Sequence, residues 1–326
     1  MKKIREHLKK NRNLVNIFFV YFFLAFVIGY IDFDRRVLPF KESTATLKRV
    51  VERTAVPPLA RRPLVPFTVY FMHKVSHLPL EYTYALFRLF FFILAFCLFH
   101  VYLRLWFDDR LAMIGTLSVI ASLPLFLTNW ISVFTDMPNF VAFILGTMWI
   151  KQNRHRLLYI LIPIATLNKE AIVAIVVLYF LYNTHKEKPG ILARRIAIML
   201  FLWAAPYVWT IVTFGLQTFT DNGASYLVPC TVKHNIKGLL AFFKNPHPYN
   251  HYYFLIYLLG FYWVLAFRNF SRKDELLKKS IIVMALYSFY VFWRVGAINE
   301  VRVFIPFYVY IIPLGLFSLF EKKEVE

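Results

Sequence analysis

Uncharged runs long enough to cross a bilayer recur along this chain, and nothing constrains its fold more. From Leu14 to Ile31 no side chain is charged, a length of about eighteen residues, which suffices for one helical crossing of the hydrocarbon core. Similar apolar stretches run at 82–103, 111–129, 137–150, 196–216, 251–267, 280–297 and 303–320. Hydrophobic residues make up 59% of the chain, well above the ~45–50% of soluble domains, and the mean hydropathy is +0.55. In hydrocarbon a spanning segment must satisfy its own backbone polar groups, which selects helices. The sequence therefore predicts an all-α, polytopic transmembrane helical bundle, with about 8–10 spanning or re-entrant helices given these lengths. No internal repeat or separate soluble domain is visible, so residues 1–326 read as a single integral membrane domain.

Charge orients the bundle. The net charge is +20, from 38 Lys and Arg against 18 Asp and Glu. The excess falls in short connections: the N-terminal arm with Lys2, Lys3, Arg5, Lys9, Lys10 and Arg12, then 104–110, 151–156, 185–195, 268–279 and the tail after Glu321. With the eight apolar stretches as spans, every one of these clusters falls on the same side, which the positive-inside rule makes cytoplasmic. The N-terminus is expected in the cytoplasm, and the first apolar run, which no small-residue cleavage site follows, is expected to be retained. This distribution answers to topology and to anionic headgroups rather than to nucleic acid, which is excluded as a partner. Cys97 lies in an apolar run and Cys230 in a polar loop, and no metal-type cysteine spacing exists.

Two segments do not fit as simple spans. Pro63 to Leu78 is short and carries His73, Lys74 and His77; a full crossing would invert every later loop, so it is expected to be re-entrant or interfacial. Leu157 to Tyr182 is too long for one span and is interrupted by Asn168-Lys169-Glu170. Two half-helices meeting at a polar kink would return that chain to the cytoplasm, an arrangement tolerated where charged groups face protein or a water-filled cavity. Two outer loops remain, about 32–62, with a helical-looking middle, and about 217–250, with His234 and His247 in it and His251 just beyond.

Four polar groups then converge on the outer face. Asp32 and Asp34 leave the first helix with Arg35 and Arg36, and Arg61 and Arg62 close the loop that follows. Thr135-Asp136-Met137-Pro138 opens a later helix, where a plain helix start is the simpler account. Asn168-Lys169-Glu170 breaks an apolar run, and Lys169 and Glu170 could simply neutralise one another. Asn299-Glu300-Val301-Arg302 offers a fourth carboxylate and cation. Carboxylates from separate segments beside several cations suit an anionic substrate and an activated nucleophile. The cations point to phosphate, and the position beside lipid points to a lipid carrier.

These motifs, in this order, resemble the GT-C superfamily of polytopic glycosyltransferases that use polyprenyl-phosphate sugars, in particular bacterial mannosyltransferase-like members. The resemblance rests on Asp32 and Asp34 after the first helix, Arg62-Pro63-Leu64-Val65-Pro66, Thr135-Asp136-Met137-Pro138, Asn168-Lys169-Glu170-Ala171, and Glu300-Val301-Arg302-Val303-Phe304-Ile305-Pro306. Lys169 stands where the family's short motif usually has Arg. What the resemblance implies is a GT-C-like arrangement in the bacterial inner membrane and a first-loop Asp, Asp34 or Asp32, as catalytic base. It further implies that Arg35, Arg36, Arg61, Arg62, Lys169 and Arg302 hold phosphate, while Asp136, Glu170 and Glu300 complete the substrate site. The partners implied are membrane lipids, a lipid-linked sugar donor and a glycan, lipid or protein acceptor. A cofactor such as Mg²⁺ or Mn²⁺ is left open, because aspartates without a fixed ligand set do not select an ion. Two rival classes remain: a transporter or flippase of lipid-linked sugars, and a non-catalytic membrane subunit.

Overall fold

A computed structural model describes residues 2–34, 37–55, 59–127, 134–215, 236–237, 240, 260–290 and 301–320, with side chains left out at 2–13, 32–34, 37–43, 59, 125–127 and 301–303. Among the described residues the ordered elements are helices and no strand occurs. In chain order they are α1 (Lys2–Asp34), α2 (Val37–Val51), α3 (Leu64–Ser76), α4 (Leu80–Leu103), α5 (Asp109–Leu127), α6 (Asp136–Lys151), α7 (His155–Asn168), α8 (Val173–Asn183), α9 (Pro189–Phe214), α10 (Phe261–Phe267), α11 (Glu275–Tyr290) and α12 (Tyr308–Phe320). Short 3-10 turns cover Leu59–Arg61, Glu170–Ile172, Phe270–Arg272 and Val301–Phe307. Three helices are long and apolar enough to cross a membrane by length and composition: α1 over Leu14–Ile31, α4 and α9. The segment expected as the first outer loop has a helical middle (α2), and Pro63 to Leu78 forms α3. The segment expected as the second, 217–250, lies outside the described residues apart from 236, 237 and 240.

A helix that is apolar on every side has to be surrounded, and α6 is the clearest case. Of its residues only Leu145, Trp149 and Lys151 reach the surface even in part. It packs against α4, α7, α8 and α12. By contrast α1 and α9 lie on the outside and turn large apolar side chains outward, among them Phe19 (71% exposed), Phe23, Phe201 and Val212 (78% exposed). So large an apolar exterior fits hydrocarbon and not water. Buried hydroxyls pair across elements, as Tyr102 Oη donates to Val309 O at 2.8 Å and Thr147 Oγ1 to Tyr310 Oη at 3.3 Å.

Small residues bring the helices close, the usual device where lipid removes the hydrophobic drive for helix association. A Cβ on Gly315 of α12 would lie 2.3 Å from Cδ1 of Tyr262 on α10. That ring cannot swing freely, since Tyr262 Oη and Ser118 Oγ of α5 are 2.8 Å apart. Just past the end of α10, buried Lys273 donates to the carbonyls of Leu265 (2.7 Å) and Ala266 (2.9 Å) in its last turn and to that of Leu314 (2.7 Å) on α12. A cation is favourable there because helix C-termini present unpaired carbonyls and the negative end of the dipole.

The basic connections gather at one end of the bundle and are tied to one another. Arg104 Nε meets Asp109 Oδ1 at 2.8 Å, Lys151 pairs with Asp274, Lys186 with Glu275 at 3.0 Å, and Arg195 with Glu187. Lys151 ends α6 and His155 starts α7, while Lys186 follows α8, so α7 and α8 both have their outer termini at this end. They form a hairpin whose tip, at Lys169, lies at the other end. With 14 residues in α7 and ~1.5 Å of rise per residue, that tip stands about 20 Å from the basic face.

Gly315→Ala is expected to lower stability by about 1–3 kcal/mol through overpacking against Tyr262. Gly190→Ala, which meets nothing within 4 Å, should be neutral or mildly stabilising in a helix; thermal unfolding of the purified protein compares the two. Glu275, at the head of α11 outside its apolar part, is held down to about 2 from an ordinary 4.5 by hydrogen bonds from Lys279 and then Lys186. A depressed carboxyl stabilises the fold above its ordinary value and loses that contribution as pH falls through the folded one. Glu275→Gln should therefore melt slightly lower than the unsubstituted protein at pH 7, and the gap should close between pH 4.5 and 2.

Candidate functional site

The hairpin tip is where the chain's isolated polar motifs meet. α7 ends at Asn168, and the following Lys169 is extended (φ −161°, ψ 124°) before the 3-10 turn Glu170–Ile172 and α8. Pro163 already removes one helical donor from α7, but the break itself is held by partners outside the hairpin. Asn168 Nδ2 donates to Thr135 O at 3.0 Å, Lys169 Nζ lies 3.4 Å from Asp136 Oδ1, and Trp203 Nε1 of α9 donates to Glu170 O at 2.9 Å. Trp203 in turn stacks on Tyr207, with ring centroids 5.3 Å apart.

Glu170 points to a different element. Arg62, which precedes α3, places a terminal guanidinium nitrogen 3.2 Å from Glu170 Oε1 across 108 positions of sequence. Arg61 beside it donates to the carbonyl of Gly215 at the end of α9, 3.2 Å away. Burial works against the charge of Arg62, but the Glu170 carboxylate outweighs it and the guanidinium is raised above its ordinary value. Lys169 and Glu170 do not serve only one another: each also has a carboxylate or cation partner from another segment. Asp136 is likewise more than a helix cap. Thr135 occupies the cap position without a side-chain bond, and the buried Asp136 carboxylate faces Lys169.

Satisfaction at this junction is incomplete. Among the described residues eleven buried side-chain nitrogen or oxygen atoms have no hydrogen-bond partner, and five belong to this junction: Arg61 Nε, Arg62 Nε, Thr135 Oγ1, Asn139 Oδ1 and Asn168 Oδ1. A buried polar atom left unpaired costs about 1–3 kcal/mol. The junction therefore offers N–H donors on its arginine side and oxygen acceptors on its α6 side. It meets the outside at Glu170, whose side chain is 27% exposed.

Asp32 and Asp34 form the last turn of α1, which packs on α2, and α2 packs on the Leu59–Arg61 turn; their side chains, like that of Arg302, are outside those described. Arg35, Arg36 and Glu300 lie outside the described residues altogether. Among the described residues no three His, Cys, Asp or Glu side chains gather as a metal site. His73 and His77 do not pair: the His73 Nδ1 lies 2.5 Å from Leu78 O, while His77, with φ 57°, ends α3.

Three residues escaped the sequence reading. Arg88, in the midst of the α4 span, donates to Tyr84 Oη at 3.0 Å and lies over the rings of Tyr84 and Phe92. Tyr84 shares a small apolar cluster with Phe134, next to Thr135, and with Val65 and Val69 of α3. A lone arginine in an apolar run is itself the signal that could have found it. Asn139 gave only the weak signal of one amide in an apolar helix. Trp203 reads from sequence only as a packing residue or interfacial anchor, and its bond to Glu170 depends on tertiary structure.

Compared with protein-family models, with curated proteins and with solved structures, the chain gives no significant match.

In a double-mutant cycle, Arg62→Gln and Glu170→Gln are each expected to destabilise the protein, and their coupling energy should be about 1–3 kcal/mol for a part-buried pair. Additive effects, read by denaturation in detergent, would show that the pair does not hold the tip.

Proposed function

We propose that this chain is a membrane glycosyltransferase of the GT-C type, which moves a sugar from a polyprenyl-phosphate donor to an acceptor at the outer face of a bacterial inner membrane. The observation that carries the reading is the meeting of Arg61-Arg62, Thr135-Asp136 and Asn168-Lys169-Glu170 in one buried junction at the end opposite the basic loops. In this orientation the basic end is cytoplasmic, with α1, α4 and α9 among the helices that span.

The chemistry follows from charge development. A first-loop carboxylate, Asp34 or Asp32, takes the proton of an acceptor hydroxyl as its oxygen bonds to the anomeric carbon from the side opposite the phosphate. The anomeric carbon–oxygen bond to phosphate breaks with inversion, and the lipid phosphate departs with the bonding electrons. Charge then grows on the phosphate oxygens, where fixed cations have their largest effect. Arg61 and Arg62 are suited to this, since guanidinium N–H groups match phosphate geometry and both Nε atoms are unpaired. Lys169 and Arg302 add further charge on the phosphate side, Asp136 and Glu170 keep the cations they face oriented, and Asp136 and Glu300 position the acceptor.

Asp34→Asn and Asp32→Asn, made singly and together, should abolish sugar transfer in isolated membranes, at least for the pair, while protein level and melting temperature stay unchanged. Full transfer by a well-folded double variant would overturn the reading. Arg62→Gln should reduce transfer about 100-fold or more, as removal of a charge stabiliser does.

A further inference from the structure

The acceptor-rich side of the junction goes beyond the phosphate end, and its assignment rests on the glycosyltransferase reading. Thr135 and Asn139 stand one turn apart and share a face of α6. Asn168 is tied to that segment through its amide nitrogen, which leaves its Oδ1 uncommitted. The three residues are 0%, 1% and 1% exposed, and their oxygens have no partner among the described residues. Such a set gains from a ligand that brings hydrogen-bond donors. A metal ion is disfavoured, because Lys169 already lies against Asp136, Arg62 is close by, and the α6 N-terminus presents the positive end of its dipole. An anion gains nothing from amide oxygens. Neutral hydroxyl groups satisfy the acceptors without adding charge.

We propose that Thr135, Asn139 and Asn168 form a hydroxyl-reading subsite for the sugar ring of the donor, beside the cations that take its phosphate. Ring hydroxyls supply on binding the partners that these oxygens lack. The two halves of the junction then match the two halves of one glycosyl phosphate. Selectivity comes from the α6 side, since a sugar whose hydroxyls do not reach these oxygens leaves them unpaired again.

The test uses the full chain in lipid nanodiscs and four probes: bare polyprenyl phosphate and its mannosyl, glucosyl and arabinosyl esters. At least one ester should bind about tenfold more tightly than the bare carrier. Thr135→Val and Asn139→Ala delete oxygens that bond to nothing, so the melting temperature should hold or rise while that preference falls toward one. Asn168 is left intact because its nitrogen holds Thr135. Equal affinity of the unsubstituted protein for all four probes, or a preference that survives in the double variant, overturns the subsite. In either case loss of all binding in Arg62→Gln would leave the phosphate reading standing. Failure of the unsubstituted protein to bind any probe removes both.

Discussion

The break at Lys169 is the feature on which the polar end of this bundle depends. Within an apolar medium a helix interrupted in mid-course exposes carbonyl and amide groups that have no solvent to turn to. Here the interruption is supported from three directions at once, by Thr135 and Asp136 of α6, Arg62 ahead of α3, and Trp203 of α9. The extended residue lets neighbouring side chains diverge, so Lys169 and Glu170 reach different elements. The same contacts fix the start of α6, the start of α3 and the C-terminal half of α9 relative to the hairpin.

The two ends of the bundle solve the placement of charge differently. At the basic end the pairs are partly exposed, as with Lys186 and Glu275 (38% and 45%), and pairs of that kind contribute little individually. They tie several connections together. At the hairpin tip Lys169 and Asp136 are 6% and 3% exposed, and burial of charge there is expensive even when paired. A sequence under selection for stability alone would fill such a position with apolar side chains. An expensive, incompletely bonded cluster is what a site that awaits a ligand looks like.

Much of the helical plan was legible because period and length are local. The apolar runs mark the helices, and Asn168-Lys169-Glu170 inside one of them marks the broken hairpin by its charge alone. That Arg62, Asp136 and Lys169 belong to one end was legible from loop charge, which sorts connections by side. Their pairing was not. Glu170 had an adjacent lysine and a distant arginine to choose from, and only the extended backbone at Lys169 decides in favour of Arg62. Asn139 was passed over because it is a single amide in a helix, with no spacing pattern to raise it above its neighbours, whereas the lone charge of Arg88 in an apolar run was a signal left unused.

The asymmetry of the unpaired atoms bears on which ligand the junction suits. Were the arginine nitrogens alone unsatisfied, inorganic phosphate or a headgroup would complete the site as well as any sugar donor. Were only the α6 oxygens unsatisfied, buried water would be enough. Both occur together, on segments held in contact by Lys169 and Glu170, which supports the proposal of a ligand with an anionic end and a hydroxyl-bearing end. A glycosyl phosphate has that form, and its lipid tail would lie where the bundle already turns apolar side chains outward.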